Sequence, residues 1–143
     1  MRFLTLCLLL FPVAALAGTH EVRMLNRGER GPMVYEPDFL AIAPGDTVKF
    51  VAAQSGHNAA SIDGMAPAGF AGFKGNINQE IEVTLTEPGL YGVKCSPHYA
   101  MGMVMLIAVG DADPAAVTIP ETVPKRAKDR LGDILARAPA RTE

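Results

Sequence analysis

Clusters of basic residues are missing from this sequence. Its 13 lysines and arginines are dispersed among 15 acidic residues, for a formal net charge of −2, and none forms a block interleaved with aromatics. Charge this mild implies no nucleic-acid partner. Long hydrophobic runs are missing too. The run from Phe3 to Phe11 is cut short by Pro12, whereas a membrane helix needs about 20 apolar residues. Histidine is scarce: His20, His57 and His98 are the full set. A chain with so few imidazoles cannot furnish two histidine-rich centres. Cysteine is scarcer still, with only Cys7 and Cys95.

The amino terminus reads as a leader. Arg2 supplies the positive start, Phe3 to Phe11 the apolar run, and Ala15-Leu16-Ala17 the small residues a signal peptidase reads. Residues 1–17 are expected to be removed, leaving an exported, soluble chain that begins at about Gly18. Cys7 lies inside the apolar run, so a lipid anchor is not expected. Cys95 is then alone in an oxidising compartment, where paired disulfides are the rule. A lone cysteine ordinarily reads as a buried apolar thiol, unless its neighbours give it another use.

The remaining length suits one domain, and its periodicity is that of strands. Residues 21–25 alternate, 33–42 carry Val34, Phe39, Leu40 and Ile42, and Pro44-Gly45-Asp46 marks a turn before the alternating Thr47 to Val51. A Gly/Ala/Pro-rich stretch over 54–76 has little periodicity. Ile81, Val83 and Leu85 face one way, Glu87-Pro88-Gly89 turns, and short apolar segments follow at 90–94 and 104–109. Short strands between Pro/Gly turns predict an all-β sandwich or barrel over 18–110. Composition then shifts. Asp113-Pro114 reads as a helix start, with room for a short helix before Pro120. Over 124–138, Ala127, Leu131, Ile134 and Leu135 recur at helical spacing, which predicts an amphipathic helix packed on the same domain within 111–143. Residues 139–143 are expected to fray.

The chemistry concentrates in Cys95-Ser96-Pro97-His98-Tyr99-Ala100-Met101-Gly102-Met103. A thiolate, an imidazole and a thioether lie close together in a loop between two strands, and His57 stands 38 residues upstream of Cys95. Two histidines, one cysteine and a weak axial methionine form the donor set of trigonal electron-transfer copper. Met101 is a rival axial donor to Met103. A copper chaperone is the competing reading, but such sites favour methionine clusters or paired cysteines. An enzyme would need a second copper centre, for which the histidines are too few.

Met24-Leu25-Asn26-Arg27-Gly28, Met33-Val34-Tyr35-Glu36-Pro37, Ala43-Pro44-Gly45-Asp46-Thr47-Val48, Gly56-His57-Asn58 and the stretch from Gly89 to Val104 together resemble the pseudoazurins, type 1 copper proteins of the cupredoxin family. The resemblance implies a Greek-key sandwich with two C-terminal α-helices. It implies one copper ion held by His57, Cys95, His98 and Met103, with both imidazoles binding through Nδ1 and Met101 left on the rim. Asn58 would brace the two loops, and Met33 and Pro97 would flank the exposed edge of His98. Met33, Met101, Arg27, Lys74 and Lys94 would make the docking face, and Arg30 could join its basic ring. It further implies a monomeric periplasmic carrier that docks briefly with redox proteins of denitrification, either copper nitrite reductase or cytochrome-type donors and acceptors. Ser55 and Arg23 depart from the family pattern, which bears on the partner. His20 is expected to be solvated, and Met24 and Met105 to lie in the core.

Overall fold

The computed structural model describes residues 16–139. The expected leader therefore lies outside the described residues, apart from Leu16 and Ala17, and so do residues 140–143.

Two four-stranded sheets face each other. In the first, β1 (Thr19–Gly28) pairs antiparallel with β2 (Gly31–Glu36) and parallel with β4 (Thr47–Val51), and β6 (Ile81–Thr84) closes the far edge. In the second the order is β3 (Phe39–Ile42), β8 (Val104–Val109), β7 (Gly89–Lys94), β5 (Ala60–Ser61), with β3 parallel to β8. Strand alternation decides which side chains enter the sandwich. In β4, Val48 and Phe50 are fully buried while Thr47, Lys49 and Val51 are not.

The continuous run in β8 has a different cause. All six of its residues are buried because both its faces are covered. Met105, Ile107 and Val109 face the sandwich core, whereas Val104 and Leu106 face a second core formed with helix α1 (Lys125–Arg137). Ala127, Leu131 and Ile134 of α1 are buried there beside Ile62, Met65 and Val123. Burying a leucine or isoleucine contributes about 1.5–3 kcal/mol. An ion pair from Arg137 Nη2 to Asp38 Oδ2, 2.8 Å, ties down the end of the helix.

Three expectations need correction in detail. The segment 33–42 is two strands in different sheets, β2 and β3. Pro37 has no N–H to continue a ladder, and the Asp38 carbonyl already accepts from Leu106 N at 3.1 Å. The unpatterned stretch 54–76 contains β5, whose two residues pair with Val93 and Lys94 and are too few to show a period. Of the two C-terminal helices, only α1 is an α-helix among the described residues. Asp113 does cap its segment, accepting from Ala115 N at 2.9 Å, but Pro114–Ala116 is one 3₁₀ turn. The β-branched Val117, Thr118 and Ile119, followed by Pro120, favour extended backbone and stop it.

Candidate metal centre

The loop joining β7 to β8 is fastened at both ends by the Lys94–Val104 pair of the ladder. Inside it, Cys95 N donates to Met103 O at 3.0 Å, His98 N to Cys95 O at 3.1 Å, and Met103 N to His98 O at 3.1 Å. Cys95, His98 and Met103 are thus linked by backbone hydrogen bonds before any ion is considered. Gly102 makes the tight return possible. Its φ is +91°, and a Cβ there would stand 2.9 Å from the Arg126 carbonyl oxygen in the first turn of α1.

His57 comes from the loop before β5. Gly56, at φ +96°, donates its N–H to Asn78 Oδ1 at 2.6 Å, and Asn78 N donates to the His57 carbonyl at 2.8 Å. Asn58 connects the two loops. Its Oδ1 accepts from Ser96 N at 2.7 Å, and its Nδ2 donates to Gly75 O at 2.9 Å and to Ser96 Oγ at 3.2 Å. The buried hydroxyl of Tyr35 donates to the Asn58 carbonyl at 2.8 Å. Burial raises the pKa of that phenol, so it stays a donor.

Three donor atoms converge. His57 Nδ1 lies 3.1 Å from His98 Nδ1, and Cys95 Sγ lies 3.7 Å from the first and 3.5 Å from the second. An ion with bonds of about 2.1 Å to nitrogen and about 2.3 Å to sulfur in one plane needs separations of roughly 3.6 and 3.8 Å. The observed triangle is slightly smaller and of the right shape, so the residues fit a trigonal ion after shifts of a few tenths of an ångström. His57, Cys95 and Met103 are wholly buried. His98 is only partly so, and it alone of these four reaches solvent. The side chain of Met101 is exposed, unlike that of Met103.

Burial raises the Cys95 pKa, and N–H groups of Asn58 and His98 aimed at the sulfur bring it part of the way back. Burial lowers the His57 pKa, and the neighbouring His98 lowers it further. Neutral imidazole is the form that ligates metal.

Sequence reasoning missed one residue here. Asn26 Oδ1 lies 2.8 Å from His57 Nε2. When Nε2–H donates to that oxygen, Nδ1 keeps its lone pair for an ion. The only signal was that Asn26 belongs to one of the matching segments.

The surface residues are placed less uniformly. Pro97 and Met101 are exposed on the ligand loop, and Met33, at φ +51°, is half-buried against the main core. Arg27 is exposed near the end of β1. Lys74 and Lys94 line an open groove of about 840 Å³ with Ser96 and Tyr99, and Lys94 Nζ sits 5.0 Å from the centre of the Tyr99 ring. Arg30 instead lines a separate groove with Glu29, Asp38 and Arg137. His20 is not simply solvated, for its Nε2 lies 2.7 Å from Asp46 Oδ2. Met24 and Met105 are core residues.

Known proteins share this architecture. Residues 22–110 match the copper binding proteins of the plastocyanin/azurin family. The pseudoazurin of Paracoccus pantotrophus is 47% identical over 132 residues, covering 91% of this chain and 90% of its own. The crystal structure of native pseudoazurin from Hyphomicrobium denitrificans superposes with a TM-score of 0.77 at 37% identity, covering 85% of this chain and 98% of its own. That of pseudoazurin from Methylobacterium extorquens gives 0.69 at 40% identity, with 81% and 98% covered. Copper as cofactor and the role of electron carrier, rather than enzyme, come with this kinship. The chain belongs to the copper-binding plastocyanin/azurin family and, within it, to the pseudoazurins.

Proposed function

We propose that this chain is exported to the periplasm, loses residues 1–17, and there carries single electrons as a one-domain monomer between redox proteins of denitrification. The acceptor is a copper nitrite reductase or a cytochrome-type protein. His57 Nδ1, Cys95 Sγ and His98 Nδ1, together with Met103, would hold the copper. Bound copper supplies a Cu(II)/Cu(I) couple. The protein's part is to keep the donors still. Asn58 braces the two loops, Asn26 orients His57, and the ladder pins the Cys95–Met103 segment, so little moves when the charge changes.

The electron path runs through His98, the donor with an edge toward solvent. Met33, Pro97 and Met101 offer soft apolar contacts near it, and Arg27, Lys74 and Lys94 supply positive charge to steer an acidic partner. Such a surface suits brief encounters, because apolar contact needs no buried charge to be desolvated.

The observation that carries this reading is the triangle of two Nδ1 atoms and one Sγ. Its test is optical and EPR spectroscopy of copper-loaded wild type and Cys95→Ser. Wild type should show intense visible sulfur-to-copper charge transfer, and the serine variant none. A coloured Cys95→Ser protein would refute the assignment.

A further inference from the structure

A second set of nitrogen and oxygen donors lies outside the copper centre. Where β1 begins, the backbone nitrogen of Gly18 is 2.7 Å from Asp46 Oδ1, and His20 Nε2 is 2.7 Å from Asp46 Oδ2. The Asp46 carboxylate is nearly buried and also accepts from Ala43 N at 3.2 Å. One carboxylate thus gathers the nitrogens of residues 18 and 20.

We infer that, once the leader is removed after Ala17, the new amino terminus Gly18-Thr19-His20 is a second metal site, selective for Cu(II). It is anchored by the Gly18 α-amine and the His20 imidazole, and Asp46 competes for the amine. The inference rests on the export reading above. Cleavage turns the Gly18 amide nitrogen into a primary amine. A histidine in third position then lets that amine, the amide nitrogens of Thr19 and His20, and His20 Nδ1 close around one ion as three fused rings. Four nitrogens in a square suit Cu(II) or Ni(II), whereas Zn(II) prefers a tetrahedron. Protons leaving the amine and the two amides pass to water.

Three observations favour this. His20 uses Nε2 to meet Asp46, so Nδ1, the nitrogen that closes the chelate, has no hydrogen-bond partner among the described residues. Leu16 is 95% exposed and Ala17 is exposed, which leaves the scissile bond open to a protease. β2 joins β1 only from Arg23 onward, so the first residues of β1 are held on one side by β4 alone. Thr47 N donates to the Gly18 carbonyl at 2.9 Å.

In an extended strand, successive amides point to opposite sides. Chelation therefore requires residues 18–20 to lift from β4 and Asp46 to release the Gly18 nitrogen. At Gly18 the carboxylate needs a hydrogen on the nitrogen whose lone pair the ion needs, so Asp46 competes for the amine. At His20 it meets Nε2 and leaves Nδ1 free. His20 lies six residues before Asn26 on β1, or about 20 Å at roughly 3.3 Å per residue. The two metal sites thus sit at opposite ends of one strand.

The test uses exported protein with its first copper in place and its amino terminus established by intact mass. A second equivalent of Cu(II) should bind and give a tetragonal nitrogen-rich EPR signal distinct from the thiolate centre, while Zn(II) should not displace it. His20→Ala, and a chain retaining Ala17 as its first residue, should both lose the second ion while keeping the thiolate colour that reports a folded protein. Asp46→Asn should bind it about tenfold more tightly, for loss of the Gly18 hydrogen bond to a charged acceptor. Absence of a second ion from the Gly18-terminated chain, or its retention by His20→Ala, overturns the site. Weaker binding by Asp46→Asn overturns the competing role. Should the mass show another terminus, the cleavage reading fails, and the same titration on a chain released at Gly18 by protease tests the site separately.

Discussion

Removing the Asn26 side chain should weaken copper binding without much loss of fold stability. The acceptor 2.8 Å from His57 Nε2 disappears, yet Asn26 is exposed and its own N–H donates to Gln54 Oε1 at 2.5 Å through backbone alone. In the metal-free protein the His57 proton can move to Nδ1, where Cys95 and His98 are within reach. In the loaded protein it cannot, because Nδ1 is committed to the ion. The cost therefore falls on binding. Partners of this kind are worth about 10–100-fold in metal affinity. With Asn26→Ala, water can enter from the exposed side and take over the hydrogen bond, so the lower end applies: about tenfold, or ~1.4 kcal/mol. Asn26→Leu keeps water out and should approach about 100-fold, or ~2.7 kcal/mol. Asn26→Asp preserves the acceptor and should bind nearly as wild type. Competition against a chelator of known affinity measures all three. An Asn26→Leu protein that holds copper as tightly as wild type would refute the reasoning.

Three further outcomes follow from other contacts. The Arg137–Asp38 pair is lopsided, with side-chain exposures of 33% and 8%. Arg137→Ala strands a buried carboxylate and should cost about 1–3 kcal/mol, whereas Asp38→Ala frees a solvated guanidinium and should cost less. Thermal melts showing the reverse order would contradict this. Gly102→Ala meets both a positive φ and the Arg126 carbonyl, and should cost about 1–3 kcal/mol in denaturant unfolding; an unchanged midpoint would argue against that contact. Hydrogen bonds from His20 and then Gly18 hold the Asp46 carboxyl below its usual range. A depressed folded pKa adds stability above the unfolded value of about 3.9, and that stability is lost as pH falls through the folded value. The stability gap between wild type and Asp46→Asn should hold steady from neutral pH down to about 4 and close below it. A gap that widens in acid would reverse the sign.

The ligand loop was legible because its donors sit within nine residues and the strands on either side are plain in the sequence. His57 was legible through scarcity, since few imidazoles compete for the role. The supports were less so. Asn58 reaches Ser96 across 38 residues and was expected only through the resemblance, and Asn26, which reaches His57 across 31, was not expected at all. Such contacts leave no local period or spacing, only an ordinary asparagine in a strand or turn. The same holds for Asp46, a turn residue by composition, which gathers His20 and Gly18 from a distant segment. Strand β8 shows the opposite case. Its unbroken apolar run was plain as a strand, but that both its faces are covered was not, since α1, which covers the second, was legible only as an amphipathic helix packed on the same domain.

That cover has a consequence for any shortened form of the protein. A chain stopping at Gly110 would retain every donor and both sheets. It would also lay Ile62, Met65, Val104 and Leu106 bare as one greasy flank, able to seize a neighbour's flank in concentrated solution. A helix that contributes no ligand thus keeps that flank out of water.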